Sequence, residues 1–387
     1  MVGTASCFAQ ALSLVDRHDF QRAVNTWEAE KGAKGFSCWD QFVAMEFCQL
    51  GSADSLREIC GGLATALGKV VHLGVKEAPR RSTLAYANEH RPWQMYEAVF
   101  HSVLARCQGL AAERGGKFRF KNPLRSLDAS VIDLCLETFD WARFRRTKGA
   151  IKLHLLLDHQ GCLPCWALVT EGSKHDIHGA RSLNFVPGTI VAMDRGYNDY
   201  TLFSSWTEGG VFFVTRMKDN AVYEVVETRE PAGKHILRDE IVRLTGARAA
   251  EKCPHLLRRI VVWDEEKDRE IVLLTNLMHF AASTIAGIYK ERWQIELFFK
   301  ALKQNLKVKT FVGTSENAVK TQIWTALIAM LLLKFMQLKS SWKWSLSNLA
   351  AMLRFNLLTY RDLWAWLDDP FGVPILEPAA QQLALPL

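Results

Sequence analysis

The order of periodic segments between residues 126 and 216 narrows the fold more than any other feature. Residues 126–134, 150–158 and 164–170 are short, rich in β-branched and apolar residues and divided by turn formers, which predicts three strands. A helix over 178–183, a strand ending in Asp194, a helix over 200–207 and a strand over 211–216 follow. The apolar run that ends in Asp194 precedes the turn residue Gly196. The acid therefore falls at the carboxyl end of a buried strand, where α/β folds place ligands. An Asp there is also an ordinary turn former or helix cap. In the first strand, alternation puts Ser126, Asp128 and Ser130 on one face and Leu127, Ala129 and Val131 on the other. Lys152 and His154 are expected to share one face beside the acids, and His154 is open to a core or a catalytic role.

Downstream, the spacing of Tyr289, Arg292, Glu296 and Lys303 places all four within an arc of roughly 60° if the helix is continuous. Trp293, Lys300 and Lys307 border that arc, and Ile288, Ile295, Phe299, Leu302 and Leu306 form an adjacent stripe predicted to be buried. Periodicity alone leaves two readings. Arg292 with Glu296, and Glu296 with Lys300, have the i,i+4 spacing of a solvated, ion-paired face. The same face offers a carboxylate among cations and rings, which suits a site that holds a metal ion and grips phosphates. Asp128, Asp194 and Glu296 together supply oxygen donors for two divalent cations, and the neighbouring cations would hold a phosphodiester backbone.

Three strands, helix, strand, helix, strand, completed by the helix of Glu296, is the order of a ribonuclease-H-like core. The expected fold class is therefore α/β. Helical N- and C-terminal regions flank a ribonuclease-H-like catalytic core, and a β-rich insertion interrupts that core. The expected boundaries are 1–121 for the helical N-terminal candidate DNA-binding domain and 122–216 for the first part of the core. The insertion is expected over 217–276, with strands at 222–227, 236–244, 257–263 and 271–274. The second part of the core takes 277–335 and a C-terminal helical segment 336–387.

On these residues the chain resembles bacterial insertion-sequence transposases of the DDE type that carry the YREK signature. Tyr289, Arg292, Glu296 and Lys303 match that signature in full, and the settings of Asp128 and Asp194 match the two aspartates. Residues 143–154 and 171–176 also resemble the family, and residues 8–103 are similar to a helical domain fused in front of such cores. The resemblance implies that Asp128, Asp194 and Glu296 are catalytic and bind two Mg²⁺ ions, for which Mn²⁺ can substitute. It implies that Tyr289, Arg292 and Lys303 contact DNA phosphates, and that Trp293 lies near a flipped base. Lys300 belongs to the same DNA-facing set. Some relatives place a second Trp in the preceding strand; residues 271–276 have none, and Trp263 is the nearest. The implied activity is cut-and-paste transposition through a hairpin. Its implied partners are double-stranded DNA, as terminal inverted repeats and target, and a second copy of the chain. A nuclease without strand transfer and an inactive repeat-binding repressor are the rivals; the presence of all three acids speaks against the second.

Other basic clusters have two readings each. Arg145, Arg146 and Lys148 form a loop that either contacts flanking DNA or is a solvated hairpin tip. Arg80 and Arg81 lead a basic stretch that either recognises the terminal repeat or is ordinary surface. The formal charge of +7 over 387 residues fits a DNA-binding enzyme and many others. Nine scattered cysteines predict reduced thiols, and Cys162 and Cys165 are expected in a strand turn and not a zinc site. The apolar run 323–333 is too short to cross a bilayer and predicts a buried helix; without a basic leader, a cytoplasmic, nucleoid-associated protein is expected.

Overall fold

The computed structural model describes residues 5–375 apart from 67, 68, 116, 136, 140, 146 and 147. These residues form two compact units, Met1–Glu113 with Lys300–Leu387, and Arg114–Phe299.

The second unit is built on a 10-stranded sheet. Its strands are β1 (Leu124–Leu134), β2 (Arg143–Arg145), β3 (Lys148–Asp158), β4 (Leu163–Glu171), β5 (Ile190–Met193), β6 (Phe212–Arg216), β7 (Tyr223–Arg229), β8 (Ile236–Leu244), β9 (Leu257–Asp264) and β10 (Arg269–Thr275). β4, β3 and β1 are antiparallel neighbours, and β5 and β6 run parallel to β1. Parallel strands need crossovers, and the helices Ile177–Arg181 and Tyr200–Glu208 lie in the two connections. The order β4-β3-β1-β5-β6 is the ribonuclease-H-like arrangement. The insertion is an extension of the same sheet: β10 pairs antiparallel with β6, and β9, β8 and β7 follow outward. β3 and β4 join at a turn where Cys162 has φ of 51°, and both Cys162 and Cys165 are free thiols.

Both sheet faces are covered. Leu127, Val191, Met193, Phe203 and Phe213 pack on one face with the Tyr200–Glu208 helix. On the other, Leu124, Ile190, Ala192 and Val214 meet Ala282, Ile285 and Ile288 of the helix Ala282–Glu291. The loop into that helix is clamped by Arg258, which pairs with Asp239 at 2.8 Å and 2.5 Å and donates to the carbonyls of Leu277, Met278 and Phe280. Both partners are about 5% exposed, so the charges are compensated by each other and not by water.

The first unit is helical. Its central helix, Glu316–Lys339, packs on the helices Gln94–Ala112, Cys38–Leu50 and Arg81–His90. It runs well past the apolar stretch expected from sequence and is long and apolar enough to cross a bilayer, yet 89% of its apolar window is buried inside the protein. A helix that is apolar all round is stable only when surrounded. Buried Gln322 accepts from the Val312 N–H and donates to the carbonyls of Lys307 and Thr310, while Gln49 donates to the Gln322 carbonyl and accepts from the Lys307 N–H. The two amides thereby satisfy the backbone of a loop that has no ladder of its own.

Arg258→Met should leave Asp239 buried and unpaired and cost about 3–5 kcal/mol; urea denaturation of it and of Arg258→Met/Asp239→Leu, which should recover most of the loss, checks this. Glu46 is fully buried with no partner for either oxygen among the described residues, and burial raises its carboxyl well above the ordinary value of 4.5. The folded state therefore keeps a proton that the unfolded chain releases, and stability falls as pH rises above about 4.5. In Glu46→Gln the gain in melting temperature over the parent should be near zero at pH 4 and grow toward pH 8.

Candidate active site

β1 and β5 bring two of the predicted acids side by side. Leu127 pairs with Met193, so Asp128 and Asp194 are the next residues on neighbouring parallel strands. Alternation puts both on the face of Leu124, Ile190 and Ala192, the face covered by the Ala282–Glu291 helix. The third acid arrives from that side. Arg292 donates from Nη1 to Asp128 Oδ2 at 3.5 Å and from Nη2 to Glu296 Oε1 at 2.6 Å. One guanidinium thus bridges an acid from β1 and an acid from the helix Trp293–Asn305.

The predicted continuous helix is interrupted at Arg292. One helix ends at Glu291 and the next starts at Trp293. The Arg292 N–H donates to the Tyr289 carbonyl at 3.2 Å, and the Ile295 N–H donates to the Arg292 carbonyl at 3.1 Å. These are i,i+3 bonds, so one turn is tightened toward 3₁₀ geometry. The apolar stripe of Ile288, Ile295, Phe299, Leu302 and Leu306 is buried as expected. A single tightened turn leaves the periodicity of side chains almost unchanged, which is why the pattern did not reveal it.

Burial dominates the electrostatics. It pushes the Asp128 carboxyl up to about 6, against the Ala129 N–H bond and the Arg292 charge, with Glu296 and Asp194 pushing the same way. Tyr289 stands beside this group, its ring centroid 5.7 Å from the Arg292 guanidinium carbon. Burial raises its phenol, Arg292 opposes the rise and Asp194 adds to it. Two buried atoms here have no partner among the described residues: Arg292 Nε and the Tyr197 hydroxyl. The donor set of Asp128, Asp194 and Glu296 is all oxygen, which suits a hard divalent cation. Among the described residues no three His, Cys, Asp or Glu side chains are gathered on one point, because the guanidinium lies between Asp128 and Glu296.

The remaining predicted residues fall in several places. Trp293 is 50% exposed, and the β9–β10 turn reaches it: Lys267 lies 5.9 Å from its ring centroid, and Lys290 pairs with Glu266 at 3.3 Å. Trp263 is half-buried in the same hairpin, opposite Glu270. Lys300 is exposed and Lys303 half-buried on the Trp293–Asn305 helix. Lys307 lies past the end of that helix and pairs with Asp54 at 2.6 Å, so it does not border the face assigned to it. Arg80 and Arg81 are exposed at the start of the Arg81–His90 helix in the helical unit. Arg146 lies outside the described residues, as do the side chains of Arg145 and Lys148.

Lys152 and His154 do not stand beside the acids. Asp128 pairs across the ladder with Leu155, and His154 with Ala129, so His154 and Lys152 point to the opposite face. There His154 Nε2 bonds Thr170 Oγ1 at 3.0 Å, burial lowers its pKa to about 4, and Lys152 pairs with Asp176 at 2.8 Å. Neither side chain shares the face of the acids. Sequence reasoning missed Lys267, which looks like any charged turn residue, and Tyr197, although Tyr197 follows Asp194 closely.

Residues 119–332 match the family described as the transposase DDE domain. The chain belongs to the DDE transposase family. This transposase is 33% identical over 262 residues to a protein of Sinorhizobium fredii named as a transposase, a match that covers 66% of this chain and 71% of that one. A protein of Geobacillus stearothermophilus, named as the transposase of an insertion sequence element, is 29% identical over 280 residues, 71% of this chain and 72% of its own. A Synechocystis relative named for an insertion sequence element is 31% identical over 265 residues, covering 66% and 71%. Residues 4–76 of the transposase match a domain of unknown function (DUF4372).

Since Arg292 is the counter-charge of two half-buried carboxylates, Arg292→Leu should lower the stability of the transposase by about 1–3 kcal/mol at pH 8. The double variant Asp128→Asn/Arg292→Leu should lose less than the sum of the two single changes, and chemical denaturation of the four proteins measures that coupling.

Proposed function

We propose that this transposase cuts DNA at the ends of an insertion sequence and joins them to target DNA, with Asp128, Asp194 and Glu296 as its catalytic carboxylates. The observation that carries the reading is the meeting of Asp128 and Glu296 on one guanidinium with Asp194 on the adjoining strand. These three side chains would hold two Mg²⁺ ions, with Mn²⁺ as a substitute. Bound divalent cations supply activation of the attacking hydroxyl and stabilisation of the leaving oxygen.

The protein's own groups position the DNA. Arg292 has a planar fork of donors that suits phosphate as well as carboxylate. Its Nε has no partner among the described residues, and it would give a DNA phosphate the donors that Asp128 and Glu296 now occupy. Tyr289, Lys300 and Lys303 would contact further phosphates, and exposed Trp293 would stack a base extruded during a hairpin step. Arg145, Arg146 and Lys148 would meet flanking DNA, and Arg80 and Arg81 the terminal inverted repeat. Two copies of the chain would hold the two element ends in a synaptic homodimer, in the bacterial cytoplasm at the nucleoid.

Asp194→Asn should keep DNA binding and lose metal-dependent cleavage by about 10²-fold or more, the loss of several kcal/mol of transition-state stabilisation. Incubating labelled element ends with Mg²⁺ and a plasmid checks the whole reading. Joined product supports transposition, cleavage without joining reassigns the chain as a nuclease, and a shifted band alone reassigns it as a binder. Cleavage retained by Asp194→Asn removes that residue from the mechanism.

A further inference from the structure

The helical unit contains a cavity of about 410 Å³ that has no part in the carboxylate site. Its wall is a stacked pair. The Arg17 guanidinium lies 3.6 Å above the centroid of Trp39. The indole is fixed from both sides: its N–H donates to the Leu73 carbonyl at 2.8 Å, and Phe20 meets it edge-on at 5.1 Å. Stacking leaves the edge of a guanidinium, where its donors lie, available to a ligand. Among the described residues Arg17 makes no hydrogen bond or ion pair. Two carboxylates are neighbours without pairing with it: Asp16 lines the cavity, and the charge of Asp40 favours the Arg17 cation. Asp16 accepts from the His18 and Asp19 N–H groups at the start of its own helix, and Asp40 is held by the backbone and hydroxyl of Ser37.

The ionisable part of the lining is Arg17, two imidazoles and the Asp16 carboxylate. His18 and His72 are both exposed on the rim. Behind His72, Tyr360 packs against its ring at 6.0 Å and carries the Lys69 ammonium at 5.1 Å. The floor is Gly74, with φ of 76°, where an added Cβ would lie 3.2 Å from the indole nitrogen and 3.6 Å from an Arg17 nitrogen. A side chain there would be strained and would press on the stack. The volume suits a ring-bearing ligand better than a bare ion. A guanidinium pre-oriented on an aromatic face, with two imidazoles beside it and its neighbouring carboxylates hydrogen-bonded to their own helix starts, recognises a phosphate ester.

We propose that the cavity at Arg17 and Trp39 binds the phosphate of a nucleotide, carried in a DNA strand or free in solution. The assignment is independent of the carboxylates, so its test uses the full chain in EDTA, where no metal-dependent step takes place. The probes are a fluorescently labelled duplex, titrated across a range of salt, and dTMP and inorganic phosphate, titrated by calorimetry. For a phosphate in DNA, Arg17→Gln should weaken duplex binding about ten-fold and make the logarithmic salt dependence shallower by about one. For a free nucleotide, duplex binding is unchanged, while the parent binds dTMP and Arg17→Gln does not. His72→Gln, on the exposed rim, should act in the same direction as Arg17→Gln, with a smaller effect, and serves if the first variant melts early. If neither variant alters binding of any probe, the proposal is overturned, whatever becomes of the cleavage assay.

Discussion

The bridge from Arg292 to Asp128 and Glu296 is the interaction on which the candidate site depends. Asp128 projects from β1 into a face covered by a helix, and burial alone would favour its neutral form. The guanidinium opposes that by supplying a positive charge at 3.5 Å, while holding Glu296 at 2.6 Å. A carboxylate group drawn together by its own arginine is ordered before any ligand arrives. The same arginine is a competitor for those oxygens, so the arrangement is poised between two sets of partners and not complete in itself. Its Nε, without a partner among the described residues, fits that description.

The bridge requires the helix Ala282–Glu291 to lie at the right height over β1 and β5. Ile285 and Ile288 fix the helix against Ile190 and Ala192. Arg258 fixes the loop ahead of it through three carbonyls and the buried carboxylate of Asp239. The residues after Asp194 that extend the sheet are therefore more than an interruption. β10 continues the core by pairing with β6, and β8 and β9 supply the clamp that aims the helix of the third acid. The β9–β10 turn also brings Lys267 and Glu266 to Trp293 and Lys290. Residues remote from the candidate site thereby shape its surroundings.

Much of this was legible from spacing. Strand and helix order in the core followed from short apolar runs and turn residues, and the buried stripe from Ile288 to Leu306 followed from helical period. The misreadings have a common source. Alternation gives the faces of one strand only relative to itself, so it cannot say that His154 and Lys152 lie away from the acids. Which face matches Asp128 depends on the register between β1 and β3, which pairs Asp128 with Leu155. Helical period sets Lys307 beside the arc because period cannot say where a helix stops, and the helix ends at Asn305. The tightened turn at Arg292 was invisible because one i,i+3 bond barely shifts the pattern. Trp39 lies in residues 38–42, one of the marks by which the N-terminal region resembles a fused helical domain, but nothing along the chain pairs it with Arg17, so the cavity had no signature.

By itself the sequence determined which residue types were present, which segments would be strands or helices, and that three acids with a Tyr, Arg and Lys at fixed spacings match the DDE family. These are local properties, set by side-chain size, backbone preference and order along the chain. Only the tertiary structure decided that Arg292 bridges Asp128 and Glu296, that His154 faces away, that the long apolar helix is enclosed by protein, and that helices from both ends of the chain build one unit. Each of these is a relation between distant residues, fixed by register, burial and the need to pair buried charge.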